Sequence, residues 1–325
     1  MINQDGKVDS LGKRYFVKLF ANLIGFVISL ITQSIIPRSL GPKSYGEFSY
    51  LTNVSTQIVG FFDMGTSIGF YTKISQRQKE FGLISFYITF SLIVSAIVLF
   101  LVFLSQITLF DSILWPDQAI FFVYLAAIWA ILNWFLQITN YMGDAYGLTV
   151  PLEKTRIIQK IIGLIILLAL FLYKRLDLTN LFFYNFIVIS FLIVIILWIF
   201  EKEGHSFNQG WRLSRKAIRS YINEFYEYSK PLFFYFLVAL IVGVLDRWFL
   251  QVFGGSVQQG FYGLSYQIGA VCFLFTSSIV SLIIREFSIA YTKKDLTQMA
   301  NLFRRYIPHF YGIVSDISAQ IFGHS

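Results

Sequence analysis

Long apolar stretches separated by short polar segments dominate this sequence. Each stretch holds about 20 residues, the length that a helix rising 1.5 Å per residue needs to cross a hydrocarbon layer of about 30 Å. The pattern predicts eight membrane-spanning helices, at residues 16–37, 48–71, 82–104, 119–142, 157–173, 181–200, 231–251 and 264–284. Residues 306–321 form a weaker ninth candidate, which His309, Asp316 and Gln320 interrupt.

Composition supports the same fold class. Apolar residues make up 56% of the chain and charged residues 14%, and the mean hydropathy is +0.64. Soluble proteins carry about 25% charged residues. The first span ends at Pro37-Arg38 rather than at a small-residue cleavage site, so we expect it to stay in the protein. The sequence therefore predicts an all-α, polytopic transmembrane helix bundle.

Two glycine-rich interruptions of the apolar pattern indicate an internal repeat. A shift of 214 positions places Gly41 on Gly255 and Gly46 on Gly260. A same-direction repeat about six spans apart is typical of membrane proteins built from two parallel halves. We therefore expect a six-helix transmembrane lobe at residues 1–200, a basic cytoplasmic linker with an amphipathic helix at 201–230, and an incomplete C-terminal lobe of two or three helices at 231–325.

Basic residues are concentrated in alternate loops. Five segments hold 21 of the 26 lysines and arginines: residues 1–18, 72–81, 143–160, 201–230 and 285–305. Because cytoplasmic loops retain positive charge during insertion, the N-terminus is predicted to be cytoplasmic. The net charge of +8 then needs no nucleic acid as a partner, and anionic membrane lipids are the expected neighbours.

Polar residues inside the spans carry the candidate chemistry, because each costs insertion free energy and needs a protein or water partner. In the first span Lys18, Asn22 and Gln33 share one helical face, and in the second Asn53 and Asp63 do the same. An aspartate at mid-membrane costs about 2.5–3.5 kcal/mol on insertion, whereas a leucine returns only about 0.3–0.6. Asp63 is therefore either a cap or hydrogen-bonding group near a helix end, or a polar element of a water-filled route.

The charged residues Lys18, Asp246 and Arg247 also leave two interpretations open. Each lies near a predicted end of its span, where a long side chain can extend to the interface. Alternatively, each faces the same polar route as Asp63.

Other site chemistry is not indicated. The single cysteine, Cys272, cannot form an intramolecular disulfide, and the histidines His205, His309 and His324 are too far apart for a metal-ligand pair. The sequence also lacks the G-x-x-x-x-G-K-[ST] phosphate-binding loop. We expect no metal and no cofactor.

Two segments resemble a known family. The first runs from Ile35 to Ser49 with Pro37, Gly41, Pro42 and Gly46, and is followed by Phe62-Asp63-Met64-Gly65. The second runs from Leu245-Asp246-Arg247-Trp248 through Gly254-Gly255 to Gly260-Phe261-Tyr262. Both resemble Wzx-type polysaccharide flippases of the multidrug/oligosaccharidyl-lipid/polysaccharide exporter superfamily. The resemblance covers about residues 10–305 and implies a two-lobe exporter with a central cavity lined by helices 1, 2, 7 and 8.

This chain departs from that family in length. The 214-residue offset would place the counterparts of helices 4 to 6 at about 333–414, beyond Ser325. We therefore expect a C-terminally truncated second lobe, and we expect the present chain alone to be inactive in transport.

Three functions are compatible with the sequence. The first is flipping of a lipid-linked oligosaccharide, carried on a polyprenyl diphosphate, across the cell inner (cytoplasmic) membrane. This step would serve the biosynthesis of a surface polysaccharide such as lipopolysaccharide O-antigen. Other polysaccharide-assembly membrane proteins would be further partners. Lys18, Arg38 and Arg247 are the candidate cations for the diphosphate. The second is cation-coupled multidrug export, in which acidic residues such as Asp63 would dominate. The third, a membrane polymerase or ligase, lacks paired acid-base groups in the outer loops, so the expected protein is not an enzyme.

Overall fold

The computed structural model describes residues 11–78, 80–108, 110–203, 213–269 and 274–304. Every secondary-structure element assigned within these residues is helical. In chain order they are α1 (Leu11–Asp63), α2 (Thr66–Gln76), α3 (Phe81–Ile107), α4 (Asp111–Leu114), α5 (Ile120–Ala145), α6 (Thr149–Leu172), α7 (Leu178–Lys202), α8 (Arg215–Ser229), a 3-10 turn (Lys230–Leu232), α9 (Phe233–Gly269) and α10 (Leu274–Thr292). The prediction of an all-α bundle is confirmed.

Six helices in the described part are long and apolar enough to cross a membrane. The longest of them combine several predicted elements. Helix α1 contains the first predicted span and most of the second, and α9 contains all but the first two residues of the seventh and the start of the eighth. The rest of the eighth span falls on α10, after residues 270–273, which the structure does not describe. The ninth candidate, Cys272 and the three histidines also lie outside the described residues. The protein is therefore a multi-pass membrane protein.

The prediction of one unbroken helix over residues 48–71 is wrong at one point. Helix α1 ends at Asp63, and α2 begins only at Thr66. Between them, Met64 and Gly65 adopt positive φ angles of 44° and 72°. A helix start leaves backbone N–H groups without partners, and Asp63 accepts the backbone N–H of Ser67 at 2.9 Å.

Both α1 and α9 fold back on themselves at a glycine. Gly41 has φ 74° and Gly255 has φ 70°, in the left-handed region that favours glycine. The Tyr45 hydroxyl donates to Gln33 Oε1 at 3.3 Å, although twelve helical residues would separate them by about 18 Å along a straight axis. The two arms of each helix therefore form a hairpin. We call residues 11–63 the first hairpin and residues 233–269 the second hairpin.

The two hairpins meet reciprocally around repeat-equivalent positions. A Cβ at Gly46 would collide with the backbone of Ser256 and lie 2.8 Å from the Gly260 nitrogen. A Cβ at Gly260 would collide with the Pro42 carbonyl. The 214-residue shift relates Pro42 to Ser256 and Gly46 to Gly260, so each half of this contact repeats the other. The hairpins are thus related by a local two-fold axis that passes between the two glycines.

The remaining helices surround the first hairpin. Its second arm packs on α3, α5 and α7 in a core that includes the fully buried Tyr50, Tyr87 and Phe182. Helix α6 packs on its first arm through Leu167, which is also fully buried. Helix α8 lies against α2 and α3. The bundle thus presents two ends. The basic end holds residues 13–18, 73–78, 144–156, 215–230 and 285–294. The opposite end holds residues 37–45, 110–118, 173–178 and 250–258.

Candidate functional site

A buried ion pair ties α1 to α5 at the basic end. Lys18 Nζ lies 2.6 Å from Asp144 Oδ2, and the two side chains are 9% and 5% exposed. Thr149, at the start of α6, donates its hydroxyl to the other oxygen of Asp144 at 2.8 Å. A buried ion pair is retained only where further hydrogen bonds satisfy its atoms. Three helices therefore converge on the Asp144 carboxylate.

Arg14 extends this cluster to the C-terminal part of the chain. One helical turn before Lys18, it donates to Thr149 at 3.3 Å and pairs with Glu286 of α10, also at 3.3 Å. Arg285 pairs with the same Glu286 at 2.7 Å and donates to the Ala145 carbonyl at 3.0 Å. The resulting basic-end cluster, residues 14, 18, 144, 149, 285 and 286, joins α1, α5 and α6 to α10.

This cluster holds more buried cations than buried anions. Arg14, Lys18 and Arg285 are 1%, 7% and 5% exposed, and they face the carboxylates of Asp144 and Glu286. Arg14 Nη2 has no hydrogen-bond partner among the described residues. A buried donor without a partner is costly, so Arg14 Nη2 can take a further anionic or carbonyl oxygen as its partner.

A second charged site lies between the arms of the second hairpin. Arg247 is 5% exposed, and its guanidinium carbon is 4.4 Å from the Tyr262 ring centroid and 5.7 Å from that of Tyr266. Its Nη1 donates to Gln259 Oε1 at 3.4 Å. Asp246 accepts the Tyr262 hydroxyl at 3.0 Å. These residues, 246, 247, 259, 262 and 266, form the hairpin cluster, in which aromatic rings hold the arginine away from water.

Comparison with known proteins supports the membrane reading. A family model described as "Polysaccharide biosynthesis protein" matches residues 11–284. The chain belongs to this family. No curated protein and no solved structure matches it. As a polysaccharide biosynthesis protein it has a role in making polysaccharide, and both clusters described above lie within the matched residues or, for Arg285 and Glu286, directly after them.

The structure separates the predicted site residues of this polysaccharide biosynthesis protein into several environments. Asp246 and Arg247 lie together in the hairpin cluster, while Lys18 belongs to the basic-end cluster. Gln33 contacts Tyr45 inside the first hairpin. Arg38 is exposed, Asn22 is partly buried, and Asn53 has a buried Oδ1 without a partner among the described residues. Their roles in a substrate route stay predictions.

Asp63 caps α2. Its carboxylate accepts the Ser67 hydroxyl at 2.7 Å, the Thr66 hydroxyl at 2.9 Å and the Tyr87 hydroxyl at 3.0 Å, besides the Ser67 backbone N–H. This arrangement agrees with the first of the two interpretations, a cap and hydrogen-bonding group near a helix end. The carboxylate is engaged by neighbours on α2 and α3.

Sequence reasoning missed Arg14, Arg285 and Glu286. Arg14 precedes Lys18 by four residues and lies on the same helical face, so the periodic pattern could have revealed it. It lies two positions outside the predicted first span, which begins at residue 16. No local signal relates Glu286 to Arg14, since the two are 272 positions apart in the chain. Arg285 joins the cluster through Glu286 and Ala145.

Proposed function

We propose that a transporter containing this chain flips a lipid-linked oligosaccharide, carried on a polyprenyl diphosphate, across the cytoplasmic membrane. Its family membership supports a role in polysaccharide biosynthesis. The two related hairpins support a transport mechanism, because transporter halves related by an axis along the membrane normal move against each other around a central route. We expect a transporter rather than an enzyme.

Arg247 is the observation that carries the proposal. It is a buried cation next to the two-fold contact between the hairpins, and rings rather than a carboxylate cover its guanidinium. A diphosphate that enters a low-dielectric interior needs a compensating positive charge. Arginine also binds phosphate oxygens with two parallel hydrogen bonds. Arg14 supplies a second such group at the basic end.

Contacts join the N-terminal helices to the C-terminal helices near both ends of the bundle. Arg14–Glu286 and the bond from Gln76 to the Ser288 carbonyl join them at the basic end. The Gly46–Gly260 approach joins them towards the opposite end. Alternate breaking of these two sets of contacts would expose the interior first to one side and then to the other.

We further propose that the basic end faces the cytoplasm, which places the N-terminus there and the protein in the inner membrane. A cysteine in place of Asp117, exposed at the opposite end, should react with an impermeant thiol reagent in intact cells. A cysteine in place of Asn223, exposed on α8, should react only after permeabilisation. The reverse labelling pattern would overturn the orientation.

The function is tested by changing Arg247 at the chromosomal locus. Arg247→Gln should stop surface polysaccharide display and leave the lipid-linked oligosaccharide on the cytoplasmic side, while Arg247→Lys should retain part of the activity because it keeps the charge. Arg175→Gln is the matched control, since Arg175 is an exposed cation at the opposite end. Full display by Arg247→Gln at normal protein abundance would refute the cation assignment. Loss of ethidium efflux with normal display would instead indicate the multidrug exporter.

A further inference from the structure

An apolar groove lies away from the hairpin contact, between α8, α3 and the junction of α1 with α2. It consists of two adjoining cavities of about 320 and 380 Å³. Phe86, Phe90 and Ile222 belong to the walls of both cavities. Binding sites for small ligands have volumes of about 300–1,000 Å³, so the groove is large enough for part of a lipid.

The groove opens sideways, towards the hydrocarbon layer. Ile93 on α3 and Ile222 on α8 line it and are 55% and 52% exposed. The neighbouring residues Leu92 and Ile97 on α3 are also exposed apolar side chains, as expected for a helix surface in contact with lipid. A chain can therefore enter the groove directly from the membrane.

One edge of the groove is basic. Ile218, Ile222 and Tyr226 recur at intervals of four along α8 and form an exposed apolar stripe. Arg215 and Arg219 precede Ile218 and Ile222 by three positions, a spacing that makes them neighbours on the helix surface. Lys230 follows Tyr226 by four positions, and its ammonium group is 5.9 Å from the Tyr226 ring centroid. These three cations form the groove's basic edge.

The wall also contains a polar group without a partner. Ser229 is 8% exposed and lines the 320 Å³ cavity of the groove beside Phe225. Its hydroxyl has no hydrogen-bond partner among the described residues. A buried hydroxyl is normally hydrogen-bonded, so a ligand with ester or phosphate oxygens would supply the missing acceptor.

We propose that this groove binds one anionic phospholipid from the leaflet at the basic end. An acyl chain occupies the space between Phe86, Phe90 and Ile222, and the headgroup phosphate lies against Arg215, Arg219 and Lys230. Cations of this kind at a membrane surface attract anionic lipids. The lipid would act as a wedge that fixes α8, which links the N-terminal helices to the second hairpin. This role is separate from the proposed cargo, because the groove lies outside the hairpin contact.

The test is photo-crosslinking of the whole protein in phosphatidylcholine vesicles that contain phosphatidylglycerol with a diazirine on one acyl chain. We expect the label in peptides that cover residues 86–94 and 218–229. Unlabelled phosphatidylglycerol should compete more strongly than additional phosphatidylcholine. Ile222→Trp, which fills the shared wall, should lower labelling of residues 86–94. The measurement needs no transport, so it is independent of the proposed function.

Charge variants test the headgroup contact. Arg219→Gln should lower the preference for phosphatidylglycerol about fivefold, the effect of one surface cation on anionic-lipid binding. Lys216→Gln is the matched control, because Lys216 is an exposed cation on α8 that is not adjacent to the apolar stripe. Equal effects of the two variants, or labelling spread evenly along the exposed face of α6, would overturn the proposal. Stronger competition by polyprenyl phosphate than by phosphatidylglycerol would also overturn it, in favour of the cargo chain.

Discussion

Replacing Gly46 by alanine would place a methyl group inside the contact between the two hairpins. The new Cβ would lie 2.6 Å from the Ser256 carbonyl carbon and 2.8 Å from the Gly260 nitrogen, whereas ordinary contacts begin at 3.4 Å. The Ser256 carbonyl oxygen lies closer still, so the hairpins must separate by more than the about 0.8 Å that the carbonyl carbon alone would require. Both obstructing groups are backbone atoms, so no side-chain rotation can relieve the overlap.

We expect Gly46→Ala to lower the free energy of unfolding by about 1–3 kcal/mol, the usual cost of forcing extra volume into a packed contact. The matched control is Gly60→Ala on the same arm, where a Cβ would meet nothing within 4 Å. That change should be neutral or stabilising by up to about 1 kcal/mol, because alanine is the better helix former. Identical chemistry fourteen residues apart should thus have opposite effects.

Substitutions at two further glycines of the same contact should destabilise the protein to smaller degrees. A Cβ at Gly260 would also overlap the Pro42 carbonyl oxygen, but it would lie 3.3 Å from the carbonyl carbon, against 2.6 Å for the corresponding carbon at Gly46. Gly260→Ala should therefore cost less than Gly46→Ala. At Gly263 the obstruction is the Ser49 side chain, which can rotate away, so Gly263→Ala should cost less again. The predicted order of destabilisation is Gly46, Gly260, Gly263 and then Gly60.

Unfolding in detergent micelles measures the stability of each variant. The separation is measured with spin labels at Lys43→Cys and Val257→Cys, two exposed positions on either side of the contact, with Cys272 replaced by alanine. The distance between the labels should increase in Gly46→Ala and stay unchanged in Gly60→Ala. Equal stability of these two variants, with an unchanged distance, would refute the close approach of the hairpins.

The other predictions concern the charged groups. Lys18→Met should cost about 3–5 kcal/mol of unfolding free energy by leaving Asp144 buried without its partner, and combining it with Asp144→Leu should restore most of that loss in the same assay. Asp63→Ala should destabilise by about 2–4 kcal/mol, whereas Asp246→Ala should have a small effect because its side chain is exposed. At Glu224 burial opposes ionisation, but hydrogen bonds from Lys73 and Arg77, at the end of α2, lower the pKa of the carboxyl group below 4.5. Its contribution is therefore complete above that pH and is lost as the pH falls through the lowered value, so Glu224→Gln should differ from the unchanged protein in thermal unfolding at pH 7 and converge with it in acid.

The fold was predictable where a single helix carries its own signal. Apolar length located the spans, and the glycines at 41 and 255 located the bends, because only backbone with positive φ could turn there without strain. The 214-residue shift identified equivalent positions. It did not predict that Gly46 and Gly260 touch, since a repeat states which residues correspond and not how closely the copies approach.

The candidate site was predictable only in part, for the same reason. Periodicity placed Lys18 on a polar face, but its partner Asp144 is 126 positions away on α5, and one sequence does not state which helices pack together. Asp63 was recognised as costly in the membrane. Its role follows from the break at Met64 and Gly65. The break leaves backbone N–H groups at the start of α2 that can donate hydrogen bonds to the carboxylate.

The two hairpins share a geometry but differ in charge, and several neighbouring positions differ together. Gln33 and Tyr45 are bonded in the first hairpin at the positions that Arg247 and Gln259 occupy in the second. The shift relates Asp246, Tyr262 and Tyr266 to Thr32, Phe48 and Thr52, so the first hairpin lacks the carboxylate and both hydroxylated rings that surround the arginine. A second arginine at position 33, a half-buried site, would have no such surroundings to compensate for its loss of contact with water. The repeated hairpins therefore supply the symmetric contact at which the halves can separate, and Arg247, which the first hairpin lacks, supplies an asymmetric charge beside it.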